Sequence, residues 1–156
     1  MKIGIISDTH GILPDSVFDI FKSVDRIFHA GDIGHQDVIQ GLEIICPVHA
    51  VYGNIDSWPI NIHYPDMLVH EINGCRICLV HDIVKPKYFS YHLFKKDIDV
   101  DIVIHGHTHV AEFQSFRKVF YINPGSVSKP RDRKFGTVAI LDINQTPFKP
   151  EFIELK

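Results

Sequence analysis

Short apolar runs alternate with amphipathic segments through the first third of the chain. The runs at residues 3–6, 26–29 and 48–52 predict buried strands, and small or polar residues end each of them. The two segments between these runs carry apolar residues at helical spacing, namely Val17, Ile20, Phe21 and Val24, then Val38, Ile39, Leu42 and Ile45. This order predicts an α/β fold with a largely parallel sheet and helices on its face.

The second half of the chain predicts strands more often than helices. Asn73-Gly74 is the strongest two-residue signal for a β-hairpin, and an apolar run flanks it on each side. A helix is expected between Pro86 and Lys96, although the apolar spacing there is less regular. No internal repeat or linker divides the sequence, so residues 1–156 are predicted to form one domain with two sheets covered by helices. Strands are expected at residues 67–72, 76–81, 101–105, 111–116, 119–122, 136–143 and 149–155.

Composition and charge narrow the class of protein. Hydrophobic residues make up 45% of the chain and charged residues 22%, as in soluble globular proteins. The formal net charge of −3 argues against a broad basic surface, so a nucleic-acid polymer is not an expected partner. No apolar run approaches the length of a membrane span, and Asp8 interrupts the first run before it could form a signal peptide. A cytoplasmic protein without a membrane partner is therefore expected.

Three cysteines offer little chemistry. Cys75 and Cys78 have the C-x-x-C spacing of redox and zinc sites, but they follow Asn73-Gly74 directly and should lie in a strand. Side chains three positions apart in a strand point to opposite faces, which is unsuitable for joint metal ligation. We therefore expect structural thiols here, as we do for Cys46.

Side chains that can bind metals follow five of the predicted strands. The most distinctive run is His105-Gly106-His107-Thr108-His109, which places three imidazoles in five residues just after a predicted strand. Imidazole is a common ligand of transition metals, although a turn with incidental histidines would also explain this run alone. Open α/β sheets bind ligands beyond the carboxyl ends of their strands. The candidate metal ligands at such positions are Asp8, His10, Asp32, Asn54, His81, His107 and His109.

Five short motifs in this order resemble those of the calcineurin-like metallophosphoesterases: Asp8-x-His10, Gly31-Asp32, Gly53-Asn54-x-Asp56, His81 and Gly106-His107-x-His109. Each motif is weak alone, but five in the right order are specific. The resemblance runs from residue 3 to the end. It is strongest to the small bacterial and archaeal phosphodiesterases of that superfamily, which share Asn123-Pro124-Gly125-Ser126. It implies a four-layer α-β-β-α sandwich of two mixed sheets flanked by helices.

The resemblance also implies a phosphoric ester hydrolase with two divalent metal ions. One ion would be held by Asp8, His10, Asp32 and His109. The other would be held by the bridging Asp32 together with Asn54, His81 and His107. Water shared between two such ions becomes hydroxide near neutral pH and can attack phosphorus in line. The resemblance implies Asp32, the bridging ligand, and Asn54 as the catalytic residues. Manganese is the ion expected from the family, and iron, nickel or zinc would also suit this mixture of donors.

Two positions depart from the family pattern. The larger branches have a histidine after the Gly-Asn pair, thought to protonate the leaving group, whereas this chain has Ile55. Isoleucine cannot transfer a proton, and a positioned general acid typically contributes about 10²–10⁴-fold to the rate. We therefore expect a phosphodiesterase that prefers good leaving groups. Asp82 occupies a position that is often glycine, where it could either bind near the second metal or cap the next turn.

Several further residues carry weaker expectations. Asn54 and Arg131 are candidates for substrate binding, since Arg131 lies in a basic loop and could pair with a phosphate, although a solvated charged turn is an equal alternative. Asp56 is expected to orient a ligand. Buried or supporting roles are expected for His29 and His105. Trp58 and Tyr64 lie in the loop after Asn54, where a flat substrate group could stack on them, but core packing is the expected role of both.

Three other functions compete with a phosphodiesterase. A relative in retromer shows that this kind of fold can serve as a non-catalytic protein-binding scaffold, but His10, Asp32 and Asn54 are intact here. A nuclease would need a basic groove or further domains to hold its polymer. A phosphomonoesterase is the remaining alternative, and the preference for small phosphate esters over polymers would hold for it as well.

Overall fold

Ten strands and four helices form the computed structural model of the protein, which describes residues 1–156. The helices are α1 (Ser16–Phe21), α2 (Gln36–Glu43), α3 (Ile60–His63) and α4 (Pro86–Lys95). The strands are β1 (Lys2–Ile6), β2 (Arg26–His29), β3 (Val48–Ala50), β4 (Met67–Ile72), β5 (Cys75–Val80), β6 (Ile102–Ile104), β7 (Ala111–Phe116), β8 (Val119–Pro124), β9 (Thr137–Asp142) and β10 (Glu151–Glu154). None of the four helices combines the length and the apolar character that a membrane span requires.

The strands form two mixed sheets of five strands each. The first sheet has the order β10-β9-β1-β2-β3, in which β1, β2 and β3 run parallel, β9 pairs antiparallel with β1, and β10 pairs antiparallel with β9. The second sheet has the order β4-β5-β6-β8-β7, with a parallel centre of β5, β6 and β8 and an antiparallel strand at each edge. The parallel strands are connected by crossovers, which bring their carboxyl ends to one edge of each sheet.

Three apolar clusters separate the layers. The largest lies between the sheets, where Ile3 and Phe28 of the first sheet meet Leu79 and Ile104 of the second. The outer face of the first sheet packs against α1 and α2, and the outer face of the second packs against α4. The order of layers is therefore helix, sheet, sheet, helix, which confirms the predicted four-layer sandwich.

The hairpin cysteines follow the predicted alternation. Cys75 packs into the cluster between the sheets, whereas Cys78 packs on the other face against α4. Both thiols are free and buried, and burial raises the pKa of Cys75 to about 11 and that of Cys78 to about 12. Thiols so far from ionisation are poor nucleophiles and poor metal ligands, as expected of structural residues.

Two details of the first half differ from the sequence-based expectations. The one-turn helix α3 was not predicted, because four residues are too short to show helical periodicity. The expectation that Trp58 packs in the core was wrong, since its side chain is 75% exposed in the loop after Asn54. Tyr64, from the same region, does pack against the cluster under α1 and α2. A single aromatic residue in a loop gives no periodicity from which its orientation could be inferred.

Candidate metal centre

Five strand ends place the seven candidate ligands along one edge of the two sheets. In the first sheet, Asp8 and His10 follow β1, Asp32 follows β2 and Asn54 follows β3. In the second sheet, His81 follows β5, and His107 and His109 follow β6. Contacts between side chains then join the two sheets across this edge. The order of the strands therefore brings together residues that lie far apart in the chain, such as Asp8 and His109.

Four of these residues form a buried half of the donor set. One donor atom from each of Asp8, His10, Asp32 and His109 lies within 4.8 Å of the others. Asp8 is 0% exposed, and Asp32 and His109 are also buried. His109 Nε2 lies 3.1 Å from Asp8 Oδ1 and 3.5 Å from His10 Nε2. Two carboxylates and two imidazoles at this separation could hold a divalent cation.

The remaining three residues form an open half, next to the shared Asp32. Asn54 Oδ1 lies 3.0 Å from His81 Nε2 and 2.9 Å from His107 Nδ1. His81 Nε2 also lies 3.3 Å from Asp32 Oδ1. Asn54 is exposed and His107 is 43% exposed, although His81 is buried. This half contains fewer carboxylates and meets more water than the buried half.

Backbone carbonyls fix the orientation of one histidine in each half. His81 Nδ1 donates to the carbonyl oxygen of Ala30 at 2.7 Å, and His109 Nδ1 donates to that of Lys129 at 2.8 Å. In the neutral imidazole the Nε2 atoms must then be acceptors. They nevertheless face carboxylate oxygens, Asp32 Oδ1 and Asp8 Oδ1.

Facing acceptors need a proton or a cation between them. Asp8 Oδ1 is buried and has no hydrogen-bond partner, which is costly for an ionised oxygen. A divalent cation would satisfy Asp8 Oδ1 and His109 Nε2 together, and a second would satisfy Asp32 Oδ1 and His81 Nε2. The mixture of carboxylate, amide and imidazole donors suits a transition metal, so the residues fit the group that the motifs imply.

Burial and neighbouring charge shift the pKa values of the site in opposite directions. Burial raises the pKa of the Asp8 carboxyl group, against the hydrogen bond from Ser7 Oγ, which lowers it. Burial also tends to raise the pKa of Asp32, but the His81 imidazole, which donates from Nε2 when it is protonated, and the Ile55 backbone N–H outweigh burial, and the net pKa is lowered. The pKa of His81 is raised, since its bonds to Asp32 and the Ala30 carbonyl outweigh the effect of burial.

Five of the seven candidate ligands adopt backbone conformations that side chains rarely tolerate. Their φ angles lie in the left-handed region, at 54° for Asp8, 49° for His10, 52° for Asp32, 69° for His107 and 60° for His109. Each such residue costs of order 1 kcal/mol, and strain of this kind concentrates at functional sites. The adjacent Gly106 is required because a Cβ there would overlap Ser7 and Asp8. The backbone conformations that orient these donors therefore reduce the stability of the fold.

Supporting hydrogen bonds hold the loops that carry the donors. Asp56 accepts from the backbone N–H groups of Ile33, Gly34 and Gly53 at 2.8–3.0 Å, which ties the loop after β3 to the loop after β2. This agrees with the expected orienting role of Asp56 but works through the backbone. His29 and His105 are buried and hydrogen-bonded, and burial lowers their pKa values to about 3 and about 4.

Part of this support was missed by the sequence analysis. Ser126 and Ser128 both donate to the backbone carbonyl of Asp8, at 2.9 and 3.1 Å. Asn123 donates to the carbonyl of Gly106 at 2.8 Å and to Thr108 Oγ1 at 3.0 Å. The segment Asn123-Pro124-Gly125-Ser126 was a visible signal, but its role could not be inferred until β8 was placed beside β6.

Around the rim lie two less certain candidates, Asp82 and Arg131, and also Ile55, which departs from the family pattern. Asp82 Oδ1 accepts from the Val84 backbone N–H at 2.8 Å, which is the turn-capping alternative, and Asp82 Oδ2 lies 3.8 Å from His107 Nε2. Arg131 is exposed, and its backbone N–H donates to the His109 carbonyl at 3.1 Å. Ile55 is exposed and contributes its backbone N–H to Asp32 Oδ1. Position 55 therefore offers no side-chain acid.

Comparisons with known proteins agree with this geometry. Residues 1–146 match the calcineurin-like phosphoesterase superfamily domain. A probable metallophosphoesterase of Methanocaldococcus jannaschii is 37% identical over 139 residues, which cover 84% of this chain and 70% of that protein. A phosphodiesterase of the same archaeon is 29% identical over 167 residues, covering 99% of this chain and 100% of that one.

Solved structures share the fold over nearly the whole chain. An archaeal phosphodiesterase superposes with a TM-score of 0.78 at 29% identity, covering 98% of this chain and 100% of that one. Vps29 of Entamoeba histolytica in complex with zinc superposes with a TM-score of 0.79 at 21% identity, covering 99% of each chain. The second likeness concerns the fold alone.

Proposed function

The chain belongs to the calcineurin-like phosphoesterase superfamily, and we propose that it is a phosphodiesterase that uses two divalent cations. The observation that carries the proposal is the convergence of acceptor atoms, in which Asp8 Oδ1 faces His109 Nε2 and Asp32 Oδ1 faces His81 Nε2. The buried half would hold one cation and the open half the other, with Asp32 shared. Manganese is the proposed ion, in keeping with the resemblance described above.

The two cations would supply a nucleophilic water of lowered pKa between them and would offset the negative charge of the phosphate. The protein contributes the positioning. Hydrogen bonds to backbone carbonyls fix His81 and His109, so their Nε2 atoms require no rearrangement when a ligand arrives. Asn54 is exposed beside His107, where its amide can also contact a phosphate oxygen. Asp32 stays ionised because the pKa of its carboxyl group is lowered.

The same site gives the leaving group no proton donor at position 55. Ile55 directs its backbone N–H to Asp32 Oδ1 at 3.1 Å, and its side chain is aliphatic. The departing alkoxide or phenoxide therefore receives no proton from the side chain at position 55, which favours esters of acidic alcohols such as phenols. The formal net charge of −3 further favours a small phosphate ester as substrate over a nucleic-acid polymer.

The test is a metal titration of chelated protein. Manganese, iron, nickel and zinc are added separately, and hydrolysis is measured with bis(p-nitrophenyl) phosphate, cyclic nucleotides, p-nitrophenyl phosphate and glycerol 2-phosphate. We expect metal-dependent hydrolysis in which the aryl diester exceeds the alkyl monoester in kcat/KM. Faster turnover of glycerol 2-phosphate would refute the proposed preference. Protein that hydrolyses no diester with any metal would instead be assigned to the scaffold class.

A further inference from the structure

A cavity of about 630 Å³ opens beside the open half of the donor set. Asn54 and His81 form part of its wall, so the cavity and the proposed second cation site share two side chains. The cavity continues away from the metal centre between the loop after β3, the start of β4 and one face of α4. Its volume lies within the range of pockets that bind small organic ligands.

The walls of the cavity beyond Asn54 and His81 are largely apolar and aromatic. Tyr52, which follows β3, and Tyr88 of α4 both line it, together with Met67 and Ile83. Tyr88 is 61% exposed on α4 although it borders a cavity, so its ring is available to a ligand. Aromatic side chains in such positions stack on planar groups of a ligand, and the stacking depends little on which planar group the ligand has.

Charge on the walls restricts what the cavity can accept. Two carboxylates, Asp66 and Asp82, and one ammonium group, Lys96, line it. The formal balance of −1 disfavours a second phosphate or a carboxylate in the cavity. The basic loop that contains Lys129 and Arg131 lies instead beside the buried half, where the Lys129 carbonyl accepts from His109. An anionic part of a substrate is therefore better accommodated on that other side.

We propose that this cavity binds the uncharged aromatic group of a phosphodiester whose phosphorus lies at the metal centre. A nucleoside has the required planar base and lacks charge. With its base in the cavity, the sugar oxygen that carries the phosphate would lie beside Asn54 and His81. The proposal rests on the proposed function for the position of the phosphate. It adds the class of alcohol that the enzyme selects, with Tyr88 as a residue that determines specificity.

The first experiment measures binding without turnover, so that it does not depend on the proposed activity. The chain has two methionines, and carbon-13 labelling of their methyl groups gives one signal inside the cavity and one outside it. Met67 lines the cavity, whereas Met1 packs against the cluster between the sheets. Titration of chelated protein with thymidine should shift the Met67 signal saturably and leave the Met1 signal in place.

The second experiment measures specificity with a constant leaving group. The 2,2,2-trifluoroethyl ester of thymidine 5′-phosphate is compared with methyl 2,2,2-trifluoroethyl phosphate, which has no aromatic group, and release of trifluoroethanol is followed by fluorine NMR. We expect the nucleoside ester to have the higher kcat/KM and Tyr88→Ala to lower the ratio of the two values about tenfold, mainly through KM. The matched control is Tyr91→Ala, since Tyr91 is a similarly exposed tyrosine on α4 that does not line this cavity.

The two experiments separate the inference from the proposed function. A Met67 shift with no hydrolysis of either ester would leave the cavity assignment standing and overturn the phosphodiesterase. Equal kcat/KM values for the two esters, with no Met67 shift at millimolar thymidine, would overturn the cavity assignment alone. An equal loss of specificity in Tyr88→Ala and Tyr91→Ala would also overturn it, because a general effect on α4 would then explain the change.

Discussion

The buried and open halves of the donor set share Asp32 but meet water very differently. In the buried half, Asp8 is 0% exposed and its Oδ1 atom has no hydrogen-bond partner. In the open half, the neutral amide of Asn54 is exposed and His107 is 43% exposed. The buried half therefore has more charge and less solvent to compensate it, whereas water can solvate most of the open half.

This difference in exposure suggests different roles for the two halves, which the sequence motifs alone do not distinguish. A buried carboxylate oxygen without a hydrogen-bond partner, such as Asp8 Oδ1, gains most from a cation, because no donor of the protein replaces the cation when it leaves. Ligands that water can reach lose less when their cation leaves, and they can also contact substrate. We therefore infer that the buried half would be the tighter of the two proposed cation sites, and that the open half would exchange its cation more readily and receive the phosphate.

The largest effect should come from the residue that the halves share. Asp32→Asn keeps the shape of the side chain but removes the charge that both proposed cations need. We expect kcat/KM for bis(p-nitrophenyl) phosphate to fall by at least about 10³-fold with saturating manganese, since both charge stabilisation and metal retention suffer. The measurement is steady-state kinetics together with metal content. A variant with two bound metals and near wild-type activity would show that Asp32 is not shared.

Metal affinity should then separate the halves. Calorimetric titration of chelated protein with manganese should show a tight event and a weaker one. His109→Ala should weaken the tight event at least about 100-fold, and His107→Ala should weaken the other event by a similar factor. Equal loss of both events in each variant would mean that the halves do not bind independently. A single event in the wild-type protein would argue against a pair of sites.

How well the sequence predicts this molecule depends on the range of the interaction involved. Strand ends could be located because apolar runs such as residues 3–6 and 26–29 stop at glycine and polar residues, and these runs follow from local pattern alone. The orientation of His81 and His109 could not be predicted, because the carbonyls of Ala30 and Lys129 that fix it come from other parts of the chain. Left-handed φ angles at non-glycine ligands were likewise invisible, since only tertiary packing can impose them.

The difference in Tm between Asp8→Asn and the wild type should change sign when metal is added. Asparagine retains an oxygen for the bonds from Ser7 Oγ and the His107 backbone N–H, and its new N–H₂ group can donate to His109 Nε2. In chelated protein at neutral pH we expect Tm to rise by roughly 3–8 °C, because a buried unpaired charge is removed. With saturating manganese, Tm should instead fall below that of the wild type, since a ligand is lost.

The pH dependence of this effect follows from the raised pKa of Asp8. Ionising a group whose folded-state pKa is raised destabilises the fold as the pH increases through that pKa. Below the ordinary carboxyl pKa of 3.8 the group is protonated in both states, and the penalty disappears. The advantage of Asp8→Asn in chelated protein should therefore vanish at acidic pH. A constant advantage at every pH would mean that better packing, and not charge, is responsible.

The smallest effect should come from Asp82 at the rim of the open half. Its carboxylate caps the turn at Val84 and lies 3.8 Å from His107 Nε2, with both side chains 43% exposed. At that position it should repel a phosphomonoester dianion more than a diester monoanion. Because the carboxylate is well solvated, we expect Asp82→Asn to raise monoester kcat/KM relative to diester kcat/KM only by roughly two- to fivefold.

Salt separates this electrostatic effect from a change in the turn. Raising the ionic strength should shrink the difference between Asp82→Asn and the wild type, since a screened carboxylate discriminates less. A matched control is Asp82→Glu, which keeps the charge and should keep the preference for diesters. If both variants shift the ratio equally at every salt concentration, the turn at Val84 and not the charge sets the preference. The open half would then select its substrate by shape.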